Sequence, residues 1–226
     1  MTGDFIESRG VLVPKDPILN SGGVRPSLRR GTYERKEVDA AERVVRRADR
    51  VLELGAGIGF MSSYLCAVRK VAHVTSYEAN PALIPYIRRM HAANGATQAV
   101  VHNALVTPDG GPPLPFHIRE SFLASSLDRA DDPDSVTDTV LVPQRALPQV
   151  LEQVRPSVLI CDIEGAEAAL LPAGDWSGLR LAIIELHPQW IGPKGVRAVF
   201  DAMHGAGLTY FPKASDAKVV TFRRDW

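Results

Sequence analysis

Cysteine is scarce in this chain. Only Cys66 and Cys161 occur among 226 residues, and they form neither a metal-ligand spacing nor a Cys-x-x-Cys redox pair. Cys66 falls in a helix-like stretch and Cys161 in an apolar strand-like run, so both read as core residues. Net charge is lacking too, with 26 Lys and Arg against 26 Asp and Glu. A protein whose main task is nucleic-acid binding needs a basic surface to neutralise phosphates, and this balance points away from that class. The one Arg-rich stretch, Arg43, Arg46, Arg47 and Arg50, reads as the solvated side of a helix. No apolar run approaches the ~20 residues that span a bilayer, and the N-terminus shows no basic segment followed by an apolar one. No membrane association is expected, and the location expected by default is cytoplasmic. At 45% apolar residues the chain can bury one sizeable core, so a single domain over residues 1–226 is expected.

What is present alternates between strand and helix patterns, which builds a parallel α/β sheet covered on both faces. Residues 1–50 read as an N-terminal segment and a leading helix, Glu34 to Asp49, with Val38, Ala41, Val44, Val45 and Ala48 on one face. Strands are expected at Val51–Leu54, Val71–Tyr77, Gln98–His102, Val158–Ile163 and Leu181–Leu186. Helices are expected from Phe60 to Lys70, Pro81 to about Ala93, Gly165 to Leu171 and about Lys194 to His204. Leu208–Phe211 and Lys218–Phe222 read as a terminal antiparallel hairpin. The segment from Asn103 to Arg145 is too long for an ordinary connection. Its pieces Phe116–Ile118 and Thr139–Val142 are expected to pair as an inserted hairpin, with the acidic stretch from Asp128 to Asp138 at the tip.

Residues 51 to 59 read Val-Leu-Glu-Leu-Gly-Ala-Gly-Ile-Gly. Three alternate glycines let the chain turn sharply between strand and helix and let a ligand lie against main chain. A dinucleotide fingerprint needs its third glycine three residues after the second, where this chain has Phe60. Glu53 also suits a cationic ligand better than phosphates, so S-adenosylmethionine fits better than NAD. Glu78 ends the next expected strand, where α/β folds bind ribose hydroxyls. It also stands before Asn80-Pro81, which look like a helix start.

Two further clusters carry acids to the carboxyl edge of the sheet, where open α/β sheets bind ligands. Asp162 and Glu164, at period-two spacing, are expected on one face of their strand. Glu185 and His187 repeat the arrangement on the next strand, ended by Pro188. Each member alone has a plain reading as a cap or packing residue; together, beside a cofactor loop, they point to a site. A carboxylate-rich set with one imidazole suits Mg²⁺ or Mn²⁺. No metal is expected, however, because the spacing fixes no coordination geometry.

Glu-Leu-Gly-Ala-Gly-Ile-Gly-Phe at 53–60, Tyr-Glu-Ala-Asn-Pro at 77–81, His-Asn-Ala-Leu at 102–105, Asp-Ile-Glu-Gly-Ala-Glu at 162–167 and Ile-Glu-Leu-His at 184–187 together resemble the FkbM-type S-adenosylmethionine-dependent methyltransferases. The resemblance spans roughly residues 33 to 222. It implies a doubly wound, mostly parallel, seven-stranded Rossmann-like sheet with S-adenosylmethionine as cofactor. By this resemblance Gly55, Gly57 and Gly59 border the methionine part, Glu78 holds the ribose, Asn103 and Ala104 lie along the adenine, and Asp162 closes the pocket near the methionine amino group. Members often carry Asp where Glu53 stands and Asn where Ala56 stands. They methylate hydroxyls of small molecules, often sugars or natural-product intermediates, so the implied partner is a small-molecule acceptor.

An alcohol is a poor nucleophile while protonated, so a nearby base would help. His187 is the first choice, because an unperturbed pKa of about 6.5 would leave it largely neutral. Glu164 is second, as base or as orienter of the histidine. Tyr33 and Glu37, just before the first core helix, are placed at the same pocket by position only. The competing readings are a nucleotide-dependent oxidoreductase, a non-catalytic binding module of the same fold, and a nucleic-acid methyltransferase. The acceptor and the oligomeric state cannot be read from the chain.

Overall fold

The computed structural model describes residues 3–119 and 133–226. The chain opens with a hairpin, β1 (Phe5–Ser8) and β2 (Val11–Pro14), turning through Arg9 and Gly10 at positive φ. Helices α1 (Val24–Arg30) and α2 (Arg35–Val44) follow, then β3 (Arg50–Leu54) and α3 (Phe60–Tyr64), which widens into a π-turn over Leu65–Arg69. Next come β4 (His73–Glu78), α4 (Ile84–Ala93) and β5 (Ala99–Asn103). The excursion that follows holds β6 (Leu105–Thr107), β7 (Leu114–Arg119), β8 (Val136–Val142) and β9 (Gln144–Ala146). The chain then forms α5 (Leu147–Val154), β10 (Val158–Cys161), α6 (Glu167–Leu170), β11 (Leu181–Glu185), α7 (Pro188–Gly205), β12 (Thr209–Tyr210) and β13 (Val219–Arg223).

Seven strands form the central sheet in the order β12-β13-β11-β10-β3-β4-β5. β3, β4, β5, β10 and β11 pair in parallel, whereas β13 runs antiparallel to both β11 and β12. The expected terminal hairpin is therefore part of the sheet, and the fold is the doubly wound α/β architecture. Strand side chains alternate between two cores, as period two requires. Val51, Ile160 and Ile183 join α2, α3 and α4 in one. Leu52, Leu54, Leu159, Cys161 and Ile184 join α5, α6 and α7 in the other. Both cysteines are buried core residues, as their sequence contexts indicate.

The inserted hairpin exists: β7 and β8 pair antiparallel, with Phe116 opposite Val140. Residues 128–132 of the expected acidic tip lie outside the described residues. The ends of several elements differ from expectation. The leading helix stops at Val44, not Asp49, because Asp49 is drawn into the base of the sheet. There its carboxylate binds Arg180, with Nε donating to Oδ1 at 2.7 Å, and accepts from Ser157 Oγ at 2.9 Å. The strand expected to reach Ile163 ends at Cys161, since Glu164 and Gly165 adopt φ of 51° and 98°. The expected helix over 165–171 is a single turn from Glu167. α7 begins earlier than expected, at Pro188, and kinks at Gly192 (φ 60°, ψ −178°) just before Pro193. Proline removes an amide donor and its ring crowds the preceding turn, so the break is built into the sequence. Among the described residues no helix is long and apolar enough to cross a membrane.

Candidate functional site

A cavity of about 660 Å³ opens at the carboxyl edge of β3, β4 and β10, within the ~300–1,000 Å³ typical of small-molecule sites. The glycine loop forms part of its wall. Gly55 has φ 82°, and a Cβ there would sit 1.7 Å from the carbonyl oxygen of Asp162. Only glycine lets the loop pack against the end of β10. Gly59, at φ 80°, is also fitted closely, a Cβ there falling 2.8 Å from Ile87 Cγ2 of α4. Gly57 differs: at φ 52° its nearest neighbour in the Cβ direction is Glu34 Oε1 at 3.9 Å, so its missing side chain leaves open space. There a ligand can approach main chain.

Glu78 ends β4 and organises this loop. Its Oε2 accepts the amide of Gly57 at 2.9 Å and its Oε1 the amide of Asn80 at 2.7 Å. Burial pushes its carboxyl up to about 7 against the pull of these amides. The amides of Ala56 and Ala79 pull on the same carboxylate, and Glu78 also lines the cavity. Ala104, Tyr77, Leu83 and Leu105 give the adjoining apolar wall.

Not every expected residue reaches the cavity. Glu53 lies beneath the loop on the α3 side, where it accepts from Ser76 and burial pushes its carboxyl up to about 7. Its Oε1 is buried without a partner. Asn103 uses its amide to hold the carbonyls of Glu78 and Ala79, both at 2.9 Å. Tyr33 is buried edge-on against Phe60. Gly59 also lies outside the wall. Asp162, Glu164, Gly55, Gly57, Glu78 and Ala104 line it.

His187 stands behind Asp162 and Glu164 as the residue that opens α7. Its Nε2 lies 3.1 Å from Glu164 Oε2 and 3.5 Å from Asp162 Oδ1, and its Nδ1 lies 3.3 Å from Glu167 Oε1. Burial works to lower its pKa, but bonds to Glu164 and Glu167 override this and raise it to about 10. With both nitrogens facing carboxylates, the protonated ring is the favoured form. That environment works against the neutral histidine expected as base. Fully buried Glu167 holds the ring further by accepting the His187 amide at 2.8 Å.

Other acids crowd the same region. Asp162 is pushed well above the usual carboxylate range by burial and by Glu185 and Glu164. Glu37 is raised to about 7 by burial and its contact with Glu185. Glu34, held at φ 45° before α2, lines the cavity and is raised by burial and by Glu37 and Glu53. Donor atoms of Asp162, Glu185 and His187 lie within 4.8 Å of one another. That spacing admits a divalent cation, which would need His187 in its neutral form to supply a lone pair. Glu34, Phe116, Gln189 and Trp190 also line the cavity and were not singled out by sequence. For Trp190 the signal was a lone tryptophan three residues after a strand-end histidine.

The Methyltransferase FkbM domain profile matches residues 53–212, well over half of the chain. The chain belongs to the FkbM methyltransferase domain family. Among solved structures its fold is similar to a precorrin-6y C5,15-methyltransferase from Geobacter metallireducens GS-15, with TM-score 0.50, 11% identity, and 85% of this chain and 88% of that chain covered. It is also similar to M. jannaschii TYW2 in complex with AdoMet, with TM-score 0.51, 14% identity and coverages of 96% and 84%. No curated protein matches the chain. This FkbM-domain protein is an S-adenosylmethionine-dependent methyltransferase, and its residues fit that cofactor. The open side of Gly57 gives room against main chain, Glu78 puts a carboxyl in the wall beside it, and the acidic wall suits a sulfonium and an ammonium group.

Proposed function

We propose that this protein methylates a hydroxyl oxygen of a small-molecule acceptor, and that residues 1–226 act as one catalytic domain. The observation that carries the reading is that the glycine loop and the pair Asp162 and Glu164 share one cavity wall. The bound cofactor supplies an already activated methyl group. What the protein must add is alignment of the acceptor oxygen at about 3–3.5 Å, exclusion of water and a destination for the proton.

Glu78 is proposed to bind the ribose, the backbone at Gly55 and Gly57 to border the methionine portion, and Ala104 to lie along the adenine. Glu34 and Asp162 face the methionine amino group. Glu53 and Asn103 act one step back, Glu53 under the loop and Asn103 by holding the Glu78 backbone. The acceptor proton passes to the Asp162–Glu164 pair. Asp162, raised by burial and neighbouring acids, binds a proton more readily than an ordinary aspartate, which suits a base. His187 is a positioning residue that fixes both carboxylates from behind. No proton needs to be taken up by its ring.

The test is transfer of a deuterated methyl from S-adenosylmethionine to a panel of hydroxylated compounds, with the labelled position mapped by NMR. A methyl ether in the best acceptor is expected. Methyl attached to nitrogen, sulfur or carbon overturns the reading. The neutral net charge supports a small acceptor over a nucleic acid, and labelling of added RNA or DNA in the same assay would reverse that choice.

A further inference from the structure

Trp190 is 42% exposed and lies in the cavity wall. Its ring is held firmly. It stacks on His187 at 5.2 Å with an interplanar angle of 17°, and His187 is itself fixed by Glu164 and Glu167. On the loop side, Gly165 at φ 98° approaches so closely that a Cβ there would lie 3.2 Å from Trp190 Cβ. A rigid, half-exposed indole offers a flat surface to another ring at little entropic cost. Glu164 meets it at the same imidazole, and Gln189 adds an amide beside it in the wall.

Charge sharpens the picture. The described wall carries four acids, Glu34, Glu78, Asp162 and Glu164, and no lysine, arginine or histidine. Arg145 acts on Tyr77, and His187 is bound to Asp162 and Glu164, yet neither side chain is part of the wall. An anion entering here would lose its water among acidic and apolar side chains, with no lysine, arginine or histidine of the described wall to receive it. An ammonium group would gain Glu164 and an aromatic surface.

We infer that Trp190 and Glu164 form the acceptor subsite, that a ring of the acceptor lies on Trp190, and that the subsite takes uncharged or ammonium-bearing acceptors while rejecting phosphorylated or carboxylated ones. This rests on the small-acceptor reading above and adds the charge class and the platform residue.

The test uses the full chain saturated with S-adenosylhomocysteine and two matched sets of probes. One is glucosamine, methyl glucoside and glucose 6-phosphate; the other is tyramine, 4-hydroxybenzyl alcohol and 4-hydroxyphenylacetate. Binding is read by saturation-transfer NMR and titration calorimetry. In at least one set the amine and the neutral compound are expected to bind, and the anion at least about tenfold more weakly. Trp190→Ala should weaken that binding at least about tenfold, Trp190→Phe should restore most of it, and S-adenosylhomocysteine affinity should be unchanged in both. The inference is overturned if an anion binds as well as its partners, if no probe binds, or if Trp190→Ala binds like wild type. Label transferred to a non-oxygen atom of a bound probe would overturn O-methylation and leave the charge ranking intact, so the two readings fail separately.

Discussion

Glu78 and Gly57 are joined by a 2.9 Å hydrogen bond that ties the end of β4 to the middle of the glycine loop. One carboxylate thus shapes the loop and faces the cavity. Glu78→Ala should weaken S-adenosylmethionine binding by about 1–3 kcal/mol. Glu78→Gln, which keeps an acceptor oxygen for Gly57, should lose less. Calorimetry on the two variants checks this, and equal losses would show that charge alone matters at this position.

The two loop glycines should respond differently to alanine. Gly55→Ala drives a Cβ into the Asp162 backbone and should unfold the loop, lowering both the melting temperature and cofactor binding. Gly57→Ala meets no atom closer than 3.9 Å and should cost only the ~1 kcal/mol of a left-handed alanine. It should still impair cofactor binding, because the methyl group enters the cavity. Thermal melts run beside calorimetry separate the two effects.

Stability should fall as pH rises, in two stages. Glu37, Glu53 and Glu78 have folded pKa values of about 7 against 4.5 for an ordinary glutamate. Between those values the folded state holds more protons than the unfolded one, so raising pH through this window destabilises it. His187, at about 10 against 6.5, contributes stability that is complete below pH 6.5 and lost as pH rises towards 10. Melting curves of the ligand-free protein should decline across both windows. Glu53→Gln should flatten the lower stage and His187→Gln the upper.

Catalysis should depend on the carboxylates more than on the histidine ring as a base. Glu164→Gln and Asp162→Asn should each lower kcat by about 10²–10⁴-fold. The pH profile of kcat in wild type should rise with a carboxylate of elevated pKa and show no step from neutralisation of His187 below pH 9. A rate rising with a group of pKa near 6.5 that vanishes in His187→Gln would return the base role to the imidazole.

At the opposite edge of the sheet, the buried pair Asp49 and Arg180 should be structural. Arg180→Ala strands a carboxylate that is only 4% exposed, at a cost of about 3–5 kcal/mol. For a chain of this size that is a drop of roughly 10 °C in melting temperature, with cofactor affinity unaltered.

The sheet was legible because local pattern dictates it. Apolar runs such as Val-Leu-Ile-Cys at 158–161 leave no choice but a buried strand, and the alternate glycines after Leu54 mark their own turn. Element ends were less so. Period two carried the reading of Asp162 and Glu164 past the end of β10, whereas Glu164 takes a left-handed conformation that no residue type announces. Both acids still reach His187, by a turn rather than by strand alternation. The N-terminal hairpin passed unread although Arg9-Gly10, between Phe-Ile-Glu-Ser and Val-Leu-Val-Pro, carries a two-residue turn signal. The charge of His187 lay beyond sequence altogether. It is set by carboxylates 20 and 23 positions away, brought together only when the crossover between β10 and β11 closes.

The kink at Gly192 divides α7 into two bodies with separate duties. The longer part carries Val199 and Met203 into the core and answers for stability. The short turn from Pro188 to Ile191 carries Gln189 and Trp190 to the cavity, where the proposed acceptor subsite lies. Ile191 still packs on the core, but the break leaves Gln189 and Trp190 free of the register of the longer part. On the proposed subsite, a lineage bearing this fold could therefore exchange one acceptor for another at these two positions while the sheet and the cofactor loop stay as they are.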